Sequence, residues 1–304
     1  MTDGGDQYIP QIRLTREERE RYDESVSIAL GEAVSEFSNF NGYIDTNDWS
    51  LVRKRKQMSV YRSLQPNDEP YATLMVGSGL IPGTLEEVMD GLYCDNTADL
   101  RAVKTLLKYK FLDGAVLNVT KQRTPDAPFN FTGIKWFAAK APWGLTQHRD
   151  LLTYERMGTT VDENGNELAY HVLQSISRPE WPVESVKGVK RERTTTVYLY
   201  RRHQNNRVQC FLWGKVYDIG SISQRQRVAE YIIAGTWLNV VRSVDCAEAK
   251  KCSKLMAVTE GSSWSSNTCH ICAKRPGFFE SHRTCAGCSE VKRLSILLKQ
   301  SVNF

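Results

Sequence analysis

Apolar residues recur at helical spacing at Tyr22, Val26, Ala29, Ala33 and Phe37. Just ahead of them, Thr15-Arg16-Glu17-Glu18 has the capping-box form, a hydroxyl for an early backbone N–H and a glutamate reaching back. The pattern predicts one amphipathic helix over 15–38. Met58, Val60 and Tyr61, then Ala72 to Val76, read as short strands separated by a Pro/Asn/Asp loop. Pro82-Gly83 breaks the chain before a second capping box, Thr84-Leu85-Glu86-Glu87, which opens a helix through about Leu92. A third helix is expected from Thr97 to Lys110.

Beyond that point the text turns to strands. Val116 to Lys121 and Phe131 to Ala138 are rich in β-branched or aromatic residues. Arg149 to Met157 and Leu168 to Ser177 flank Asn164-Gly165, a strong hairpin signal. Thr194 to Arg201 and Val208 to Tyr217 flank the tight turn at Asn205-Asn206. Val208, Cys210, Leu212 and Val216 alternate as in a half-buried strand, so an antiparallel meander is expected. A last long helix is marked by Ala229, Ile233, Trp237, Val240, Val241, Val244 and Ala247 on one face. After Lys254 the composition shifts to a Gly/Ser/Asn-rich linker around Trp264. The division is therefore a disordered start over 1–14, a main domain over 15–254, and a small module with its linker over 255–304.

Composition narrows the class. No apolar run approaches the roughly 20 residues that span a bilayer. Met1 to Asp6 carry neither a basic nor an apolar signal region, which implies a cytosolic, reducing location. The eight cysteines are then expected as thiols or metal ligands, not disulfides. A net charge of +5 is too mild to imply nucleic-acid binding. Its clusters, Arg53-Lys54-Arg55-Lys56, Lys187 to Arg193 and the end of the chain, read first as solvated faces. Their functional alternative is attraction to an anionic membrane surface.

Cys269-His270-Ile271-Cys272 and Cys285-Ala286-Gly287-Cys288 are two C-x2-C hooks a dozen residues apart. Each hook offers a tetrahedral ion two thiolates from one tight turn, and two hooks close the shell. The spacing thus predicts one structural Zn2+ held by Cys269, Cys272, Cys285 and Cys288; His270 and His282 are substitute ligands by chemistry but read as neighbours, since four cysteines already fill the shell. Cys94, Cys210, Cys246 and Cys252 read as small buried hydrophobes. The spacing C-x2-C-x12-C-x2-C, with Phe278 inside the loop and Trp264 upstream, resembles the first half of a FYVE-type zinc finger. That family binds phosphatidylinositol 3-phosphate at endosomal membranes through two zinc ions and a basic motif. Here Ser281-His282-Arg283-Thr284-Cys285-Ala286 stands at the basic motif, and no further cysteine pair follows Ser289. The resemblance therefore implies a degenerate or truncated finger, and phosphatidylinositol 3-phosphate is not expected as its ligand.

The order helix, strands, two helices, antiparallel strands, long helix resembles the helix-grip fold of START-type lipid-transfer domains over residues 15–250. The likeness is carried by Gly77-Ser78-Gly79-Leu80-Ile81-Pro82-Gly83-Thr84-Leu85, Ile134-Lys135-Trp136, Arg149-Asp150-Leu151-Leu152-Thr153-Tyr154-Glu155 and Tyr170-His171-Val172-Leu173-Gln174-Ser175. It implies an α+β fold, with a curved antiparallel sheet and the last helix enclosing an apolar tunnel for one lipid. Arg149, Glu155 and His171 then become candidates for the head group, and Trp136, Tyr154, Trp181 and Trp237 for the wall. The plainer readings are core tryptophans, an Arg149–Glu155 structural ion pair and a hydrogen-bonded strand histidine.

Together these point to a non-catalytic lipid-binding or lipid-transfer protein with a zinc-stabilised module, cytoplasmic and peripheral on endosomal or other membranes. The alternative is a protein-interaction adaptor at membranes without bound lipid, its finger holding a protein partner. An enzyme ranks last, since no G-x-S-x-G, P-loop or H-E-x-x-H signature is present. An inward-facing carboxylate–histidine pair revives it, and a cavity too small for a lipid favours the adaptor.

Overall fold

The computed structural model describes residues 9–40, 44–65, 69, 72–140, 147–183, 185–186, 188–217, 223–259, 282–284 and 291–293. Helix α1, Arg16–Asn39, starts at the predicted box: Thr15 Oγ1 accepts from Glu18 N at 3.2 Å, and Glu18 returns a carboxylate to Thr15 N at 3.0 Å. Strands β1, Trp49–Arg55, β2, Met58–Ser63, and β3, Ala72–Pro82, form a meander. The second box, Thr84 with Glu87, caps α2, Leu85–Leu92, and Asn96 caps α3, Thr97–Leu106. The seven strands that follow are β4, Phe111–Lys121; β5, Phe131–Ala139; β6, His148–Val161; β7, Glu167–Ser175; β8, Val189–Arg191; β9, Arg193–His203; and β10, Arg207–Tyr217.

These ten strands make one sheet in the order β1-β2-β3-β10-β9-β7-β6-β5-β4, with β8 alongside β6. All pairings are antiparallel except β6 with β8. The chain therefore passes from β3 to the far edge at β4, and α2 and α3 lie in that crossover. The hairpins are set by local chemistry. Gly165 supplies a φ of 78° in the β6–β7 turn, and Asn205 and Asn206 adopt φ of 57° and 52° between β9 and β10. Gly133 on β5 admits no side chain, because a Cβ there meets Asn118 O of β4 at 2.1 Å.

Both faces of the sheet are covered. On one, α2, α3 and α4, Ser223–Trp237, pack on Met58, Phe131, Tyr200, Cys210 and Leu212. On the other, Tyr22, Val26, Ala33 and Phe37 of α1 pack on Tyr154, Tyr170, Leu199 and Phe211. Central strands are accordingly buried at nearly every position, β5 from Phe131 to Ala138 and β9 from Thr194 to Tyr200. Strand β10 is thus buried on both faces, not one, with Phe211 and Trp213 as enclosed as Cys210 and Leu212.

Two expectations are corrected. The last helix is interrupted: α4 gives way to a 3-10 turn, Leu238–Arg242, before α5, Ser243–Thr259. Apolar residues keep facing the core through the turn, so the sequence period does not reveal the break. Residues 9–14, assigned to a disordered start, join the fold. Ile12 is buried, donates to Leu117 O at 2.8 Å and accepts from Asn118 Nδ2 at 2.9 Å, which occupies part of the exposed edge of β4.

The chain separates into two units, Met1–Cys246 and Ala247–Phe304. In the second, the described parts are the end of α5 and a two-stranded antiparallel ladder, β11, His282–Thr284, with β12, Val291–Arg293. Among the described residues no helix is long and apolar enough to cross a membrane.

Candidate functional site

Alternation on β5, β6, β7 and β9 puts Lys135, Glu155, His171, Tyr198 and Tyr200 on the sheet face beneath α3. The first three are diagonal neighbours across strands and meet at one carboxylate. Glu155 Oε2 accepts from Lys135 Nζ and from His171 Nε2, each at 2.9 Å, and Glu155 Oε1 accepts from Thr153 Oγ1 at 3.0 Å. His171 stacks on Tyr198, and Tyr198 on Tyr200, in a row across the face.

A small cavity lies between this row and the helical cover, lined also by Leu100, Val103 and Lys104 of α3, by Leu107 at its C-cap and by Val240. Its volume is about 30 Å³, room for one or two water molecules. Lys104 is 8% exposed, with its ammonium over the rings of Phe137 at 4.0 Å and Tyr109 at 4.7 Å. No carboxylate pairs with it among the described residues.

The electrostatics follow from burial and contact. Burial pushes the Glu155 carboxyl up, but the Lys135 ammonium, the His171 hydrogen bond and Lys104 outweigh it and hold it well below the usual carboxylate range. Lys135 is raised: burial pulls it down, and Cys94 and Glu155 beside it more than offset that. His171 is lowered by burial, which its contact with Glu155 only partly opposes. Lys104 is lowered by burial, with Glu155 acting against the shift. The arrangement is an ionised Lys135–Glu155 pair, a neutral imidazole donating from Nε2, and a second buried lysine.

Of the six cavity residues expected from sequence, Glu155 and His171 line the cavity. Trp136 and Tyr154 do not. One residue along from Lys135 and Glu155, they face α1, where Trp136 Nε1 donates to Asp150 Oδ2 at 2.8 Å and Tyr154 Oη donates to Asp23 Oδ1 at 3.0 Å. Trp181 packs against Trp136 in the same layer, the two rings tilted by 58° with centroids 4.9 Å apart. Arg149 lies at the start of β6, 3.7 Å from Glu192, so the proposed Arg149–Glu155 pair does not form. Trp237 packs on the cavity side of the sheet over Gly214 but is outside the cavity lining.

Lys104 and Lys135 are not among the site residues expected from the sequence, although both leave a signal. Leu100, Val103, Lys104 and Leu107 follow the i, i+3, i+4, i+7 spacing of one helix face, which places a lysine among apolar partners. Lys135 is the one charge in the strand Phe131 to Ala139. In the basic run, Arg53 lies over the Tyr231 ring at 4.1 Å and donates to Tyr231 O, and Arg55 donates to Asn239 Oδ1. Lys54 and Lys56 are exposed. Of the other cysteines, Cys94, Cys210 and Cys246 are buried thiols and Cys252 is exposed. Cys269, Cys272, Cys285 and Cys288, with Trp264 and Phe278, lie outside the described residues.

No family model matches this sequence, and no curated protein matches it. The crystal structure of human STARD10 superposes with a TM-score of 0.51 at 13% identity, over 74% of this chain and 83% of that one. The lipid transfer and protein localization domain of human StarD13 (DLC2) gives 0.48 at 13% identity, over 77% and 98%. Human StAR-related lipid transfer protein 5 gives 0.46 at 18% identity, over 72% and 97%. The likeness to STARD10 places the main unit in the START-type helix-grip fold.

Proposed function

We propose that the main unit binds one amphiphilic lipid between the sheet and α3, without catalysing its conversion. The observation that supports this is the buried polar cluster on the cavity wall. Taking the Lys135–Glu155 pair out of water costs several kcal/mol per ion, Lys104 adds an amine whose charged form burial disfavours, and an apolar core of equal volume serves stability as well or better. A head group that meets these side chains gives the cost a function. The present volume of about 30 Å³ is far below the roughly 300–1,000 Å³ of ligand sites, so entry requires α3 to move off the sheet. Just after α3, Lys108 and Lys110 hold φ of 60° and 53°, a sparsely populated region for side chains other than glycine, and this connection is proposed to take up the movement.

The Cys269, Cys272, Cys285 and Cys288 set is proposed to bind one structural zinc. Its support is the hooks' spacing, together with the ladder β11–β12, whose two strands flank in sequence the hook from Cys285 to Cys288. Peripheral attraction to anionic membranes rests on exposed Lys54 and Lys56, since Arg53 and Arg55 are committed to structural contacts.

A second reading is an acid–base enzyme, favoured by the 2.9 Å contact of His171 with Glu155 on the cavity wall. It is the weaker one. A general base works best with a pKa near the working pH, and Glu155 is held far below it by Lys135. The interaction adaptor is favoured by the cavity as it stands, about 30 Å³ and too small for a lipid chain, and it holds if the cavity never opens. Native mass spectrometry after incubation with vesicles of mixed lipids separates these. One lipid per chain supports the proposal; no lipid moves the preference to the adaptor, and a chemically altered lipid to the enzyme.

A further inference from the structure

We infer that the ligand carries a single carboxylate head group and that Lys104 receives it; this rests on the lipid-binding reading above. The inference comes from counting charges on the cavity wall. Two lysines and one carboxylate line it, and Lys135 is already matched to Glu155 at 2.9 Å. His171 faces them as a neutral imidazole. Lys104 is left over, more than nine-tenths buried, with two aromatic rings and no anion for company among the described residues. An aromatic face replaces only part of the hydration that a buried ammonium loses.

A monoanion removes the imbalance. A dianionic phosphate would reverse it, and an alcohol or a zwitterion would leave it standing. The cavity also offers a neutral donor. The Tyr200 hydroxyl lies on the same wall, fully buried and without a hydrogen-bond partner among the described residues. The ammonium of Lys104 donates to the carboxylate, and Tyr200 adds an unpaired donor to the lining. The remaining lining, Leu100, Val103, Leu107, Leu173 and Val240, suits an aliphatic chain. The ligand class is therefore a long-chain carboxylic acid.

The test uses the full chain stripped of lipid and three probes with the same C18 tail: oleate, oleyl alcohol and oleoyl lysophosphatidate. Each is titrated below its micelle concentration against a bound fluorescent apolar reporter. Oleate is expected to bind at least about tenfold more tightly than the alcohol or the phosphate ester, the scale of one hydrogen bond to a charged group. Lys104→Met should abolish the preference for oleate over the alcohol, and Lys104→Arg should retain it. Equal or tighter binding of either competitor, or a preference that survives Lys104→Met, overturns the carboxylate assignment and leaves the lipid-binding reading intact. If none of the three binds, the lipid-binding reading falls, and this inference with it. Should Lys104→Met fail to fold, the comparison of the three probes on the unmutated chain decides.

Discussion

Lys135 Nζ and Glu155 Oε2 lie 2.9 Å apart with both side chains 1% exposed, an ion pair wholly enclosed by the sheet and α3. Removing one member strands the other charge in the core. Lys135→Met and Glu155→Leu are each expected to cost about 3–5 kcal/mol. The double variant should cost much less than their sum, because it leaves no lone ion. Urea denaturation of the three variants checks this, and additive costs would mean that the pair is solvated in solution.

Acid should weaken the fold through His171. Its folded pKa is lowered by burial from the ordinary 6.5, so the unfolded chain binds the proton first. Stability is therefore complete above about 6.5 and falls as pH drops below that value towards the folded pKa. Glu155 acts in the same direction further down, since its contribution is complete above about 4.5 and is lost as pH falls from there towards a folded value well below it. Thermal melts between pH 7.5 and 5 are expected to show a declining Tm, and His171→Gln to flatten it. An unchanged slope in that variant would assign the effect elsewhere.

Trp136 separates stability from binding. It bonds to Asp150, which also accepts from Arg191 Nε and Nη2 at 2.9 Å each, all on the α1 side of the sheet. Trp136→Phe is expected to cost about 1–2 kcal/mol and leave ligand affinity unchanged. Loss of ligand binding in a variant that still folds would show that the wall extends through β5.

The cysteine hooks predict one zinc per chain by elemental analysis. Cys272→Ser or Cys285→Ser should release it and unfold the segment after about residue 264, while the main unit keeps its thermal transition. Loss of that transition in either variant would show that the two units fold as one.

Much of the fold is legible from local chemistry. Thr15 with Glu18 and Thr84 with Glu87 mark helix starts, and Asn164-Gly165 and Asn205-Asn206 mark hairpins, because each is settled within a few residues. The faces are not legible in the same way. Trp136 and Lys135 are both buried, on opposite sides of β5, since α1 covers one face and α3 the other. With both faces enclosed, alternation carries no contrast, and an aromatic residue looks as fit for the cavity as the lysine beside it. Strand β1 is hidden for a related reason: Arg53, Lys54, Arg55 and Lys56 read as a charge run, whereas edge position and pairing with β2 make the first three the end of a strand and Lys56 part of its turn. The 3-10 turn after Trp237 keeps the apolar stripe of the helix it interrupts, so only backbone geometry reveals it.

The central claim is that the closed cavity opens to hold a lipid, and a crystal structure of protein loaded from mixed-lipid vesicles tests it most directly. The account predicts ligand density between α3 and the row Glu155, His171, Tyr198 and Tyr200, with the cavity enlarged from about 30 Å³ to several hundred. A cavity unchanged in volume, with the lipid absent or lodged elsewhere, would contradict it.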